Sequence, residues 1–322
     1  MENRYGKLVV CAMVAFLAMA LLPAGAWAGK KIGVLIWSDE ARYADSFQGI
    51  KDQLVKGGFR EPEVKYTVEN AGGNKAKAAE LAQKLRAGGF DLVLVVGTSA
   101  AVAIAKEIKT TPVVFSMVYD PVDAKIAVDW KTSGNNTTGA SPRVPMAHLI
   151  MTMKQLSPVK TIAVLYTPGE KNSEAQLKEL QAAQAETQVK VLPAPLAGKE
   201  DVAIVLPAVI KASDAIFLTG SGVVGGSVAA IVDLASKAKV MTVSHLDDIV
   251  EKGALLGVYA DPKMVGKLAG DKAVKVLKGA KPAAVPIEGL NKFDIIINLK
   301  TAKASQISIP EAFRKSATRV IE

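Results

Sequence analysis

The sequence has one cysteine and two histidines in 322 residues. A lone cysteine forms no internal disulfide, and Cys11 sits inside an apolar N-terminal run, where it reads as filler. His148 and His245 are the only histidines, and no group of Cys, His, Asp and Glu has metal-ligand spacing, so no metal and no cofactor is expected. No serine occupies a nucleophile elbow, and no catalytic constellation stands out, so the chain is not expected to be an enzyme. Aromatic residues make up 5% of the chain, and none is interleaved with a basic block. The net charge of +9 is spread over helix faces with Asp and Glu between the Lys residues, which describes a solvated surface and not a nucleic-acid footprint.

Long apolar runs are confined to the N-terminus. Arg4 and Lys7 precede fifteen apolar residues from Leu8 to Leu22, followed by Pro23 and the small-x-small triplet Ala26, Trp27, Ala28. This is the pattern of a secretory signal over residues 1–28, with cleavage expected after Ala28 and a periplasmic destination. A helix of fifteen residues is about 22 Å long, short of the roughly 30 Å hydrocarbon core.

From residue 29 onward the chain alternates strand and helix patterns. The densest stretch runs from Phe90 to Pro121: Leu92 to Val96 is an apolar run ending at Gly97, Thr98 and Ser99 open an Ala-rich helix, and Val113 to Met117 is a second run ending in Tyr119, Asp120 and Pro121. Strands apolar on both faces belong to parallel sheets covered by helices, and such sheets bind ligands at the carboxyl ends of their strands. Lys31 to Ile36 and Val64 to Val68 complete a βαβαβαβ ladder. Thr161 to Tyr166, Val189 to Leu192, Asp214 to Gly220 and Val240 to Ser244 repeat it about 130 residues later. The fold expected is α/β, with two doubly wound parallel-sheet lobes joined by a multi-strand hinge. The lobes are read as 29–140 and 141–259, with 131–145 as an irregular connector and 260–322 returning to the first lobe. Such a hinged pair encloses a cleft.

Candidate site residues follow from strand-end placement. Thr98 and Ser99 either cap a helix or hold a carboxylate. Tyr119 and Asp120 either fix a turn or meet a ligand, with Asp120 a candidate for a cationic end and Tyr119 or Trp37 for an apolar body. Gly220, Gly222 and Gly225 match G-x-G-x-x-G, but on the third strand of a repeat. A tight turn fits better there than a dinucleotide loop, and its N–H groups could still hold a carboxylate. His245 follows a strand end and either faces the cleft or caps the next helix.

The stretches KIGVLIWSDEARYADSFQGIKDQL, VLVVGTSAAVAIAKEI, TPVVFSMVYDPVDA and KGALLGVYADPKMVGKLAGDKAVKVLKGAKPAAVPIE, with FDIIINLKTAKASQISIP, resemble the periplasmic substrate-binding proteins of ABC importers that include the tryptophan and tyrosine binders. The resemblance implies a type I periplasmic binding fold with three crossings between lobes. It also implies a monomer that captures a small carboxylate-bearing molecule and presents it to a membrane permease with a cytoplasmic ATPase. Carried over by position, Trp37, Ser38, Thr98, Ser99, Tyr119, Asp120, Thr167, Ser221, Gly222 and the residues after Val243 line the cleft. Where relatives usually carry Asp after the fourth strand of the second lobe, this chain has His245. Two other readings use the same lobes: a module presenting solute to a membrane receptor or kinase, and an exported enzyme.

Overall fold

The structure, a computed structural model, describes residues 29–322. The expected signal segment, 1–28, lies outside the described residues. Among the described residues no helix is long and apolar enough to cross a membrane.

Among the described residues thirteen strands form two sheets. The first is built from β1 (Lys30–Ile36), β2 (Val64–Asn70), β3 (Leu92–Val96), β4 (Val113–Ser116), β5 (Thr137–Ser141) and β11 (Glu288–Gly289). The second holds β6 (Thr161–Tyr166), β7 (Lys190–Pro195), β8 (Ala215–Leu218), β9 (Met241–Ser244), β10 (Leu256–Tyr259), β12 (Asp294–Asn298) and β13 (Arg319–Ile321). Their orders are β11-β5-β4-β3-β1-β2 and β13-β12-β10-β9-β8-β6-β7. All pairings are parallel except β10 with β12. Each sheet therefore carries the same doubly wound core, β2-β1-β3-β4-β5 in one and β7-β6-β8-β9-β10 in the other, which bears out the two-lobe α/β expectation. The apolar runs explain it: every residue of β3, β4, β8, β9 and β10 is buried, as strands covered on both faces must be.

Two expectations need correction. The connector 131–145 contains β5, whose sequence TTGAS lacks the apolar pattern of a central strand yet is buried throughout. A Cβ on Gly139 would run into the backbone oxygen and ring of Phe115, so this strand is made of small residues because β4 fills the space above it. The return to the first lobe also ends earlier than 322. Helix Pro262–Leu277 packs along helix Ala41–Lys56 and over β4 and β5, and β11 extends the first sheet beside β5. β12 then pairs with β10, and β13 with β12, so 294–321 belongs to the second sheet. The chain crosses between lobes after β5, after β10 and after β11.

Candidate functional site

Doubly wound sheets leave a crevice where the strand order reverses, beyond the carboxyl ends of the strands. Here that is beside β1 and β3 in one lobe and β6 and β8 in the other, and the two crevices face each other. Between them lies a small, narrow cavity of about 20 Å³. The first lobe lines it with Arg42 and Tyr43 after β1, Thr98 after β3, and Met117 and Tyr119 after β4. Pro142 follows β5. The second lobe supplies Asn172 and Gln176 after β6, Gly220 after β8, and His245 and Leu246 after β9.

Contacts across the cleft hold the lobes together in this structure. Arg42 of the first lobe ion-pairs with Asp248 of the second, both side chains buried. The Tyr119 hydroxyl donates to Glu179 Oε2 at 2.6 Å, the same oxygen that accepts from Arg143 Nε at 3.1 Å. Lys178 Nζ meets Asp123 at 2.8 Å, and Lys75 Nζ donates to the Gly169 carbonyl at 3.0 Å. This is a closed arrangement.

Of the residues expected from sequence, the structure brings Thr98, Tyr119 and His245 to the cavity wall. Thr98 Oγ1 accepts from the Tyr119 amide at 3.1 Å, leaving the hydroxyl proton free to donate. Its preceding residue, Gly97, has φ +102, and a Cβ there would press on Trp37 and Tyr43, so glycine serves both the turn and the close approach. The His245 ring stacks on Phe217 at 5.8 Å and meets Tyr119 edge-on at 5.2 Å. Burial, with the Arg42 charge adding to it, holds this imidazole down to about 3, so it is neutral. Burial, reinforced by Glu179, likewise pushes the Tyr119 hydroxyl up.

The other expected residues sit around the cavity and not on it. Trp37 is packed into the apolar core. Ser38 is buried beside the first loop, and Ser99 is half-buried on its helix. Asp120 is committed to a turn: its Oδ1 accepts from the amides of Val122 at 2.9 Å and Asp123 at 3.0 Å, and its Oδ2 faces Arg143. Thr167 donates to the Ser221 hydroxyl at 3.0 Å, and Ser221 caps the short helix Gly222–Gly225 by accepting from the Val224 amide. The Gly222 amide is 3.2 Å from Glu170 Oε2, so the chain's own carboxylate occupies the turn formed by the G-x-G-x-x-G stretch. That stretch is a capped tight turn whose glycine amide is already satisfied.

Sequence reasoning missed Arg42, Tyr43, Asn172 and Gln176. Gln176 Oε1 accepts from the Gly220 amide at 3.0 Å and Asn172 Nδ2 donates to the Gly220 carbonyl at 2.7 Å, so both fix the cavity's floor. Arg42 is raised above its ordinary value: burial opposes this, and Tyr43, Asp248 and Glu40 outweigh it. Asp247, next to the ion-paired Asp248, is pushed up to about 7 by burial and then by Asp248 and Glu251. Ser38 Oγ, Glu40 Oε2, His245 Nδ1, Asp247 Oδ1 and Asp248 Oδ1 are buried without a hydrogen-bond partner. All five lie in the two segments that Arg42 joins, 38–40 after β1 and 245–248 after β9, the second running into the helix Asp247–Glu251.

A family model described as ABC transporter substrate binding protein matches residues 31–321. A tyrosine-binding protein of Clostridioides difficile (strain R20291) is 24% identical over 277 residues, covering 85% of this chain and 80% of that protein. Among solved structures, the ABC domain in complex with L-Trp from Streptococcus pneumonia superposes with a TM-score of 0.85 at 31% identity, covering 91% of this chain and 100% of that one. The ligand-free, open structure of a substrate binding protein with adhesive properties from Clostridium difficile superposes with a TM-score of 0.73 at 25% identity, covering 91% and 99%.

Proposed function

The chain belongs to the family of ABC transporter substrate binding proteins, with the two-lobed type I periplasmic fold, and from that premise we propose that it captures an aromatic amino acid or a close carboxylate-bearing relative. The solute enters between the lobes, the lobes close on it, and the closed form delivers it to a membrane permease powered by a cytoplasmic ATPase. Export through a cleaved signal over residues 1–28 puts this work in the periplasm.

The observation that carries the reading is the interlobe cavity, walled by two tyrosines, a neutral imidazole, Met117 and Leu246, and provided with a few directed donors. Ligand sites of this kind are mostly apolar with a small number of placed polar groups. The Thr98 hydroxyl and the Gln176 amide are donors suited to a carboxylate. Tyr43, Tyr119 and His245 suit the flat faces and edges of an aromatic body. The printed ligands of the relatives, tyrosine for one and L-Trp for the other, are of this class. The greater similarity to the L-Trp complex than to the open form accords with a closed state.

Titration calorimetry of residues 29–322 with L-tyrosine and L-tryptophan tests this. Saturable one-to-one binding is expected, and Thr98→Val should weaken it by about fivefold, one directed hydrogen bond being worth ~1 kcal/mol. The absence of binding by all aromatic amino acids and aromatic acids would contradict the reading.

A further inference from the structure

The first crossing between the lobes runs from the end of β5 at Ser141 to the helix Met146–Met153, and it carries one charged side chain, Arg143. The crossing is tied to both lobes. Ser141 Oγ donates to the Tyr119 carbonyl of the first lobe at 2.6 Å and accepts from the Arg143 amide at 3.1 Å. On the other side the Met146 amide donates at 3.3 Å to Oε1 of Glu179, on the second-lobe helix Lys171–Ala182. Arg143 stands between these ties. Its Nη1 faces Asp120 Oδ2, after β4 of the first lobe, at 3.4 Å, and its Nε donates to Glu179 Oε2 at 3.1 Å. The guanidinium carbon lies 5.8 Å from the centre of the Trp130 ring, a cation–π contact that seats the group.

The charges around Arg143 make it more than one contact among several. Asp120 and Glu179 belong to opposite lobes, and both accept from the same guanidinium. Lys178, the neighbouring cation of the second lobe, is taken by Asp123 of the first at 2.8 Å. Two acids therefore share one cation. Their side chains are 13% and 18% exposed, so water and salt screen them only in part. With Arg143 removed, closure would bring two partly buried carboxylates together, and like charges at such a site repel.

We propose that Arg143 is a positioning residue for solute capture: carried on the hinge, it is the shared counter-ion that lets Asp120 of one lobe and Glu179 of the other approach as the cleft closes. This rests on the reading of the cleft as a solute site and adds to it a residue that lies off the cavity wall. Asp120, a candidate ligand contact by its strand-end position, serves closure instead. The link to the solute runs through Glu179 Oε2, which accepts from the hydroxyl of the wall residue Tyr119 at 2.6 Å. The guanidinium thus steadies the acceptor that draws Tyr119 toward the second lobe.

Residues 29–322 contain no cysteine, so Lys77→Cys and Lys199→Cys, both at exposed positions and one in each lobe, place a single pair of spin labels. Double electron–electron resonance then reads the open and closed populations, without ligand and with saturating L-tryptophan or L-tyrosine. Arg143→Gln is expected to lower the closed-to-open ratio about fivefold, the weight of one partly exposed ion pair, and added salt should recover part of that loss by screening the two acids. Combining Arg143→Gln with Asp120→Asn should recover most of it, because asparagine removes the charge and keeps the Oδ1 that accepts from the Val122 and Asp123 amides. Arg143→Lys keeps the charge and should close nearly as the parent does. Lost packing over Trp130 would respond neither to salt nor to Asp120→Asn, so these two readings separate a counter-ion from a scaffold. A closed population in Arg143→Gln equal to the parent's, or a double variant no better than the single one, overturns the proposal. Failure of the parent to bind either amino acid overturns the solute reading instead, and the ligand-free populations then decide the role of Arg143.

Discussion

At the scale of single residues, the site is a set of ordinary side chains given unusual properties by burial. Asp247 and His245, two positions apart, are shifted against their charged forms for the same reason, and their linkages to stability run in opposite directions. A carboxyl raised from 3.8 to about 7 favours the fold only while protonated. Its contribution is complete below about pH 4 and is lost as pH rises through about 7. An imidazole lowered from 6.5 to about 3 favours the fold while neutral, and its contribution is lost as pH falls from about 6.5 through 3. In ligand-free protein, Asp247→Asn is therefore expected to flatten the decline of the unfolding midpoint between about pH 4 and pH 7. A decline equal to that of the parent would show that Asp247 is not the group responsible. Tyr119 offers a second residue-scale check. Tyr119→Phe keeps the ring against His245 and removes only the hydroxyl bond to Glu179, so ligand dissociation should quicken by about fivefold for the loss of ~1 kcal/mol. An unchanged off-rate in stopped-flow displacement would mean that this cross-lobe bond does not hold the closed state. Thr98, Tyr119 and His245 were legible because each lies within three residues of the end of a buried strand. Arg42 was not: in EARYADS it reads as a solvated helix start, and its meaning comes from Asp248, 206 positions away.

The elements divide in the same way. Strands with continuous apolar runs were evident from sequence, because burial on both faces leaves no room for alternation. β5 was not, because its neighbour's bulk, and not its own hydrophobicity, decides its composition. The sequence pattern also placed the helix Pro262–Leu277 without showing what it packs on. Its glycines supply the answer: a Cβ on Gly266 would collide with the Ser46 backbone, and one on Gly49 with the Lys263 carbonyl. The two helices approach backbone to backbone, which docks the returning chain onto the first lobe. Gly266→Ala should lower stability by about 1–3 kcal/mol through overpacking. The denaturant midpoint checks this, and a midpoint equal to the parent's would show that the helices separate freely.

For the molecule as a whole, two similar lobes joined by three crossings give a hinge, and the ion pair Arg42–Asp248 with the Tyr119–Glu179–Arg143 cluster gives a closed form that depends on cross-lobe contacts. A few polar contacts of this size shift a two-state equilibrium without fixing it, so ligand must supply the remainder. The repeat of the strand pattern announced the two lobes. The last crossing was hidden, because β12 is an apolar strand that either sheet could accept and only its antiparallel pairing with β10 settles its place. The central claim, that the cleft between the lobes closes on an aromatic amino acid, is tested most directly by small-angle scattering of residues 29–322 with and without saturating L-tryptophan or L-tyrosine. A smaller radius of gyration is expected in the presence of ligand, reaching the value calculated for the closed arrangement. An unchanged radius, with binding confirmed in the same sample, would contradict it.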